Sequence, residues 1–403
     1  MKGNQKKLLL LGGLRYLVPV IEAAHKMGHY VITADYLPGN IAHTYSDEFQ
    51  NVSVIDKEAV LRVAERLQVD GIMSFAVDPG VETASYVAEK LGLSFQGSHE
   101  SVRILQNKDL FRRFLADNSF NVPRSWSFSS VEEAMSEAGS FCWPVIVKPV
   151  DSAGSKGVSK AEDMAGLKAA LEYAAEETHC GRIIVEEYLE KKGFSSDSEC
   201  FTIDGKLVFC SFSDQRFDPK AENPYAPSAY SWPPTMPAET QAELRSEIER
   251  LAGLLGLRTG IYNVETRLCT DGKAYIMEVS PRGGGNRLAE MLRLACGTDL
   301  ITNAVKDALG EKTEEISDPV YDGFLAEVVL HADSDGRFSH LDLADEMRQY
   351  VVETDLWVSR GDKVCGFKGA NNAIGTLVLR FDSRKLLEEA MADISSWCRI
   401  VTE

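Results

Sequence analysis

Apolar and polar positions near the start of the chain alternate between two periods. Leu8 to Leu11 is a short apolar run, a Gly-rich turn follows, and Val18 to about Met27 carries its apolar residues at helical spacing. A second apolar run, Tyr30 to Asp35, comes next. Strand, helix, strand in that order predicts a βαβ opening and a parallel sheet. The same alternation continues through "KEAVLRVAERLQ", "DGIMSF" and "GVETASYVAEKLG", so a doubly wound, Rossmann-like α/β domain is expected over residues 1–107. Ligands of such sheets bind beyond the carboxyl ends of the strands. Gly12, Gly13 and Arg15 after the first strand, with Asp78 and Glu82 after "MSF", therefore line the expected crevice. The turn "LGGLRYL" lacks G-x-G-x-x-G, which lowers the standing of an NAD-dependent oxidoreductase.

A helix, "NKDLFRRFLADN", bridges to a region of different grammar from about Val122. Strands "VIVKP", "RIIVEEYL", "SECFTI" and "KLVFCSF" alternate with one helix, "MAGLKAALEYAAEE", which reads as an α+β unit. "RFDPKAENPYAPSAYSWPPTMPAE" is rich in Pro and aromatics without clear periodicity and is expected to be a long, functional loop. A helix from about Ala238 to Leu255, a hairpin, and two helices, "NRLAEMLRLACG" and "DLITNAVKDALG", follow. From about Val320, strands "FLAEVVLHAD" and "AIGTLVLRFDS" and a closing helix from Arg384 make a small C-terminal α+β unit.

Composition narrows the function more than the fold. With 403 residues the chain holds two or three domains. Its 43 Lys+Arg against 61 Asp+Glu, a net charge of −18, argue against nucleic acid or an anionic membrane as the partner. The eight Cys contain no C-x-x-C pair, so neither a zinc site nor a disulfide framework is expected, and a reduced, cytoplasmic protein is. "MKGNQKKLLLLGGLRYL" imitates a secretory signal, but Arg15 interrupts the apolar run and no small-residue cleavage site follows; a first strand is the better reading. No segment is long and apolar enough to span a bilayer.

Two stretches carry candidate chemistry. In "PVIVKPVDSAGSKGVSKA" a strand bearing Lys148 opens into Ser152, Gly154, Ser155, Lys156 and Gly157, small residues whose N–H groups can approach an anion closely. It is not a G-x-x-x-x-G-K-[ST] loop, and most Gly/Ser loops bind nothing. In "GIYNVETRLCTDGKAYIMEVSPRGGGNR" the pair Asp271-Gly272 predicts a two-residue hairpin turn. Counting outward from Thr270 opposite Lys273 sets Glu265 opposite Glu278 and Asn263 opposite Ser280. Like charges directly opposed destabilise a sheet unless something positive lies between them. Two carboxylates suit Mg²⁺, which leaves its other positions to water and phosphate; a solvated face on which they pair with Arg267 and Arg282 is the alternative. A phosphate loop, a carboxylate pair and the cation of "SPRGGGNR" in one chain favour the metal.

Together these stretches resemble the ATP-grasp superfamily, in its order along nearly the whole chain. "NKDLFRRFL" resembles the helix whose lysine, here Lys108, reaches the nucleotide phosphates; "VIVKP" resembles the strand whose lysine, here Lys148, contacts phosphate and adenine; "DSAGSKGV" resembles the loop that closes over the phosphates. "VEEYL" is similar to the hinge that reads adenine, which implies Glu186, Glu187, Tyr188 and Leu189. Glu199 matches the residue that holds ribose hydroxyls, Glu265 and Glu278 the magnesium pair, and Arg282 the arginine that steadies the transferring phosphoryl group. The usual Asn of E-x-N-P-R is Ser280, which leaves a hydroxyl as the third metal ligand.

The resemblance implies a two-lobed ATP-grasp domain over 108–312, with a small lobe at about 122–189, and a C-terminal unit over 313–403. It implies ATP with Mg²⁺ or Mn²⁺, a small carboxylate activated as an acyl phosphate and an amine that displaces phosphate, with a homodimer as one compatible assembly. Substrate positions are then Gly13, Arg15, Asp78, Glu82, Gly284 and Asn286, with the Tyr225 to Pro237 loop. "PRGGGN" is similar both to carboxylate–amine ligases and to phosphoribosylglycinamide synthetase and carbamoyl-phosphate synthase relatives, so formyl- or carboxy-phosphate chemistry stays open, as does a non-catalytic nucleotide-binding module.

Overall fold

The computed structural model of the chain describes residues 5–151 and 156–403. The opening follows the apolar runs: β1 (Lys7–Leu11), α1 (Val18–Lys26), β2 (Tyr30–Asp35), β3 (Glu48–Asn51), α2 (Lys57–Leu67), β4 (Gly71–Ser74) and α3 (Asp78–Leu91). The four strands form a parallel sheet in the order β3-β2-β1-β4. Alternate residues of β1 point to opposite faces, so Leu8 and Leu10 join a core with α1 while Leu9 and Leu11 join another with α2 and α3. Strand β3 had no apolar signature in the sequence, because its residues are only half-buried at the sheet edge.

Helices α4 (His99–Gln106) and α5 (Lys108–Asp117) lead out of this sheet, capped by the side chains of Ser98 and Asn107. A small lobe follows: β5 (Ser125–Phe128), α6 (Val131–Ser136), β6 (Val145–Pro149), β7 (Ser159–Ala161), α7 (Met164–Glu177) and β8 (Ile183–Glu187), with strand order β5-β8-β6-β7. Short α6 escaped the sequence pattern, which had room for α7 alone.

The large sheet holds β9 (Lys191–Ile203), β10 (Lys206–Cys210), β11 (Asp214–Phe217), β12 (Pro227–Trp232), β13 (Gly260–Cys269) and β14 (Ala274–Ser280), with α8 (Ala238–Leu254) against it. After α9 (Leu288–Cys296) and α10 (Leu300–Ala308) come β15 (Phe324–Leu330), β16 (Gly336–Leu343), β17 (Val351–Leu356), β18 (Lys363–Val364), β19 (Gly375–Phe381), α11 (Arg384–Ala392) and β20 (Cys398–Thr402). Its order is β14-β13-β9-β11-β12-β15-β19-β17, with β10 beside β9.

One expectation is corrected here. The stretch expected to be one long loop begins within β11, at Arg216, and contains the whole of β12, which lies mid-sheet with Tyr230 and Trp232 fully buried. Its prolines fall where they do no harm, Pro227 at the first residue of the strand and Pro233 just after its last. Beyond the expected boundary at residue 313, β15, β19 and β17 extend the large sheet directly from β12. Only β16, β18 and β20 form a separate small sheet. The eight cysteines are free thiols, and among the described residues no helix is long and apolar enough to cross a membrane.

Candidate active site

The hairpin β13–β14 brings Glu265 opposite Glu278 and Asn263 opposite Ser280, as expected, but by a different route. Leu268 pairs with Ala274, so the turn has three residues between Cys269 and Lys273, with Gly272 at φ +81°. The register is then one residue out, and a bulge at Met277 restores it before Glu278 is reached. The Met277 carbonyl accepts a hydrogen bond from Arg112 Nη1 at 2.8 Å.

The glutamates stay partly open, Glu265 at 30% exposed and Glu278 at 42%. Arg267 reaches Glu265 at 2.8 Å, which is the pairing a solvated face would give, but Glu278 is met by Lys108 at 3.7 Å and not by Arg282. Two accessible carboxylates side by side, with cations at their outer edges only, fit a hard divalent cation. Ser280 fits less well as a third ligand. It is buried, its hydroxyl donates to Asp78 at 2.6 Å and it accepts from Gln106 at 2.8 Å.

Between the small lobe and α5 lies a buried ion cluster. Glu186 is 2% exposed and takes Lys148 at 2.5 Å and Arg112 Nε at 2.8 Å. Burial pushes its carboxyl upward, but Arg112 and Lys148 overcome this and hold it at about 2. Burial draws the Lys148 ammonium below its usual range, opposed by Glu186 and helped by Arg112 and Lys108. Arg112 and Lys148 thus meet Glu186, while Lys108 meets Glu278 and also lowers the Asp78 carboxyl, so the three cations gather on one side of the cleft. Arg112 was missed in the sequence, although it stands one helical turn from Lys108 in the same motif. The side chain of Glu186 belongs to this cluster. Glu187 N and Tyr188 N donate to Arg124 O and Pro144 O, and Leu189 follows at the start of the connection into β9.

The phosphate-loop positions Ser152, Gly154 and Ser155 lie outside the described residues. Gly157 is buried with φ +71°, and a Cβ there would meet the Pro149 ring at 2.6 Å.

Arg282 leaves β14 and turns to the first domain. Its Nε and Nη2 donate to the two oxygens of Asp78 at 2.9 and 2.6 Å, and its Nη1 to Gly283 O at 3.0 Å. Burial raises the Asp78 carboxyl, and the guanidinium with Ser280 outweighs it and holds Asp78 below its ordinary value. Glu82 is not brought to this place. It pairs instead with Lys57 and lies 3.8 Å from His99, one helical turn further along α3 than Asp78.

Glu199 is fully buried, and its Oε1 accepts the Gly284 amide at 2.6 Å, so it anchors the Gly-rich turn, while its Oε2 has no hydrogen-bond partner among the described residues. A Cβ on Gly284 would strike Glu199 Oε1 and Asn263 Nδ2 at 2.7 Å, and one on Gly283 would strike the Phe75 ring at 2.2 Å; glycine is required where these backbones touch. Beside Glu199, Asp197 takes Asn263 at 2.7 Å and the Tyr230 hydroxyl at 3.2 Å. Burial, and then the charge of Glu265, push Asp197 up to about 7; burial, with Asp197, pushes Glu199 up to about 8.

The turn ends with Asn286 and Arg287 at φ +48° and +55°, strained positions of the kind that collect at binding sites. Asn286 donates to Tyr230 at 3.0 Å and accepts from Tyr16 at 3.4 Å. Arg15 lies over the Trp357 ring at 5.6 Å. Gly13 abuts Asn40 and His43, either of which a Cβ would strike at 2.6 Å.

Comparison with known proteins bears on the family and the fold. The ATP-grasp domain family model matches residues 141–290. A formate-dependent phosphoribosylglycinamide formyltransferase of Synechococcus sp. (strain WH7803) is 30% identical over 296 residues, covering 68% of this chain and 70% of the relative. The crystal structure of an L-amino acid ligase from Bacillus licheniformis superposes with a TM-score of 0.81 at 20% identity, over 100% of both chains. A Hydrogenobacter thermophilus 2-oxoglutarate carboxylase biotin carboxylase domain, solved with MgADP and bicarbonate, gives 0.74 at 15% identity over 98% of this chain and 91% of its own. These two structural likenesses concern the fold alone. On the strength of the family match and the relative, this chain belongs to the ATP-grasp family.

Proposed function

We propose that this protein is an ATP- and Mg²⁺-dependent ligase that activates a small carboxylate as an acyl phosphate and joins it to an amine. The observation that carries the reading is the opposed, accessible pair Glu265 and Glu278 beside the cations Lys108, Arg112 and Lys148. Glu265 and Glu278 would hold the metal, whose bound charge would neutralise phosphoryl oxygens.

A carboxylate approaching a phosphoryl group is anion meeting anion, so catalysis is chiefly a matter of fixed positive charge. Lys108 and Lys148 present ammonium groups to the phosphates, with Lys148 held in place by Glu186. The backbone of Glu187 to Leu189 receives adenine at the strand-to-strand hinge, and Gly157 belongs to the loop beside the phosphates. Arg282 is aimed by Asp78. Its three hydrogen bonds use three of the five N–H groups a guanidinium carries, leaving two for the oxygens of the transferring group. The turn Gly283 to Asn286 and the crevice at Gly13, Arg15 and Asp78 bound the space for the acid and the amine.

The formyltransferase relative favours one narrower reading, in which formate is the acid. Phosphate release from ATP and Mg²⁺, measured with pooled carboxylic acids, with formate alone, and with each plus pooled amines, separates the cases. Release that needs an acid and an amine together supports ligation; release with formate but no other acid supports formyl transfer. No acid-dependent release in any arm overturns both.

A further inference from the structure

Across the large sheet, directly opposed residues share a face, and one such face carries a row of polar side chains. It runs from Glu278 through Glu265 and Asp197 to Ser195, two residues on, then to Gln215, Tyr230, Glu327 and, beyond Val378, Glu353. A row of this kind inside a sheet core is costly unless each member is satisfied. Several are not. Among the described residues, Ser195 Oγ, Gln215 Oε1 and Glu199 Oε2 on this face have no hydrogen-bond partner, and neither oxygen of Glu327 has one.

Glu327 is the sharpest case, since it is 0% exposed and yet bonded to nothing described. The cation in its neighbourhood is Arg287, which is already engaged by Glu290 at 3.1 Å, by Glu353 and by Thr376 at 2.7 Å. The remaining charged and titratable groups that face it are Glu290 and Glu353, with Tyr16 and Tyr230. Three carboxylates thus share one guanidinium. Burial, and then Glu290 and Glu353 against Arg287, hold the Glu327 carboxyl well above its ordinary range. Tyr16 and Trp357, half-buried and packed edge to face at 5.8 Å, come from the first domain and the C-terminal unit over this end of the row.

We propose that Glu327 is a recognition subsite for a cationic nitrogen, an ammonium group carried by a substrate other than ATP. This rests on the ligase reading above and names a substrate feature that reading left open. The row also sets where that nitrogen lies. Glu327 stands four strands from Glu265, and at about 4.8 Å per strand the separation is roughly 19 Å. An α-ammonium on an acid reacting at Glu265 and Glu278 does not reach so far. The recognised nitrogen is therefore remote from the reacting end, as in an aliphatic diamine or a basic amino-acid side chain, and it sits on the amine or at the far end of a long acid.

Binding is read first, without turnover. Thermal shifts are measured with Mg²⁺ and a non-hydrolysable ATP analogue, adding a pool of aliphatic diamines and basic amino-acid amides, or the matching amino alcohols that lack the second cation. The diamine pool should stabilise the wild type more than the amino alcohols do, and Glu327→Gln should lose most of that difference. Equal shifts in the two proteins, or no preference in the wild type, overturn the subsite whatever becomes of the ligase reading. Calorimetry of the wild type guards against a misfolded variant: the diamine pool should bind more tightly than the matching amino alcohols, and equal affinity for the two overturns the proposal.

Turnover then locates the cation. With hydroxylamine as the nucleophile and pooled acids, a tenfold or larger rise in KM for the acid in Glu327→Gln, with kcat changed less, places the cation on the acid. The same rise confined to the amine in the full reaction places it on the amine. An unchanged KM for both overturns the subsite, whereas hydroxamate formation absent from the wild type counts against the ligase reading alone.

Discussion

Asp78 and Arg282 are joined by two parallel hydrogen bonds, 2.9 and 2.6 Å long, across the contact between the first domain and the end of β14. A bidentate pair fixes the guanidinium plane as well as its position. On the proposed reading, the first domain takes part in the chemistry by aiming an arginine that belongs to another part of the chain. Asp78→Asn should reduce turnover tenfold or more while leaving the affinity for the ATP analogue within about threefold, and should cost about 2 to 4 kcal/mol, because Arg282 would remain buried without its counter-ion. Urea unfolding and kinetics check the two halves of this separately. Wild-type kcat in the variant would show that Arg282 needs no such aim.

Glu278→Gln removes one of two opposed charges and with it half of the candidate metal pair. The stability of the ligand-free protein should hold or rise by a fraction of a kcal/mol, on the scale of a cross-strand pair. ATP turnover should fall by orders of magnitude, with Mg²⁺ dependence weakened. Normal Mg²⁺-dependent turnover in this variant would falsify the metal assignment.

Glu186→Gln leaves Arg112 and Lys148 buried without their shared carboxylate. The expected loss is about 3 to 5 kcal/mol, the range for breaking a buried ion pair from one side. Since the Glu186 carboxyl is depressed to about 2, its contribution is present above the ordinary glutamate value and is lost as pH falls toward 2. The wild type should therefore be the more stable by a margin that shrinks below about pH 4. A margin constant down to pH 2.5 in chemical denaturation would contradict the cluster's charge state.

Asp197 and Glu199 work in the opposite sense. Their folded values, about 7 and about 8, lie above those of an unfolded chain, so folding takes up protons. The stability this confers is complete below about pH 4 and is lost as pH rises through 7 to 8. In the ligand-free protein the unfolding free energy should fall across that window, by at most about 1.4 kcal/mol per pH unit for each group. The double variant Asp197→Asn, Glu199→Gln should flatten the profile, leaving the smaller slope of the other carboxyls that burial raises, Asp214, Glu290, Asp307 and Glu327. An identical slope in variant and wild type would show that neither carboxyl titrates there.

Much of the architecture was legible wherever period and punctuation agreed, as in β1, α1 and β2, whose apolar spacing matches their burial. β12 was not legible because prolines beside a strand look, in one dimension, like prolines within a loop. The opposed glutamates were found through two errors that cancel, an unforeseen third turn residue and an unforeseen bulge, neither of which leaves a period-2 trace. Lys108, Lys148 and Arg282 stood out as types of residue, but their partners Glu278, Glu186 and Asp78 are distant in sequence and only the fold joins them. Glu327 sits in an apolar strand as a single polar letter, and no local pattern marks it.

The direct pairing of β15 with β12, from Ala229 opposite Val328 to Trp232 opposite Leu325, makes the chain indivisible at the point where a modular reading would cut it. Removing the last unit would bare a mid-sheet strand flanked by buried aromatics, an exposed edge of the sort that recruits other chains. Exchange of C-terminal units between family members must then carry the β12 ladder with it.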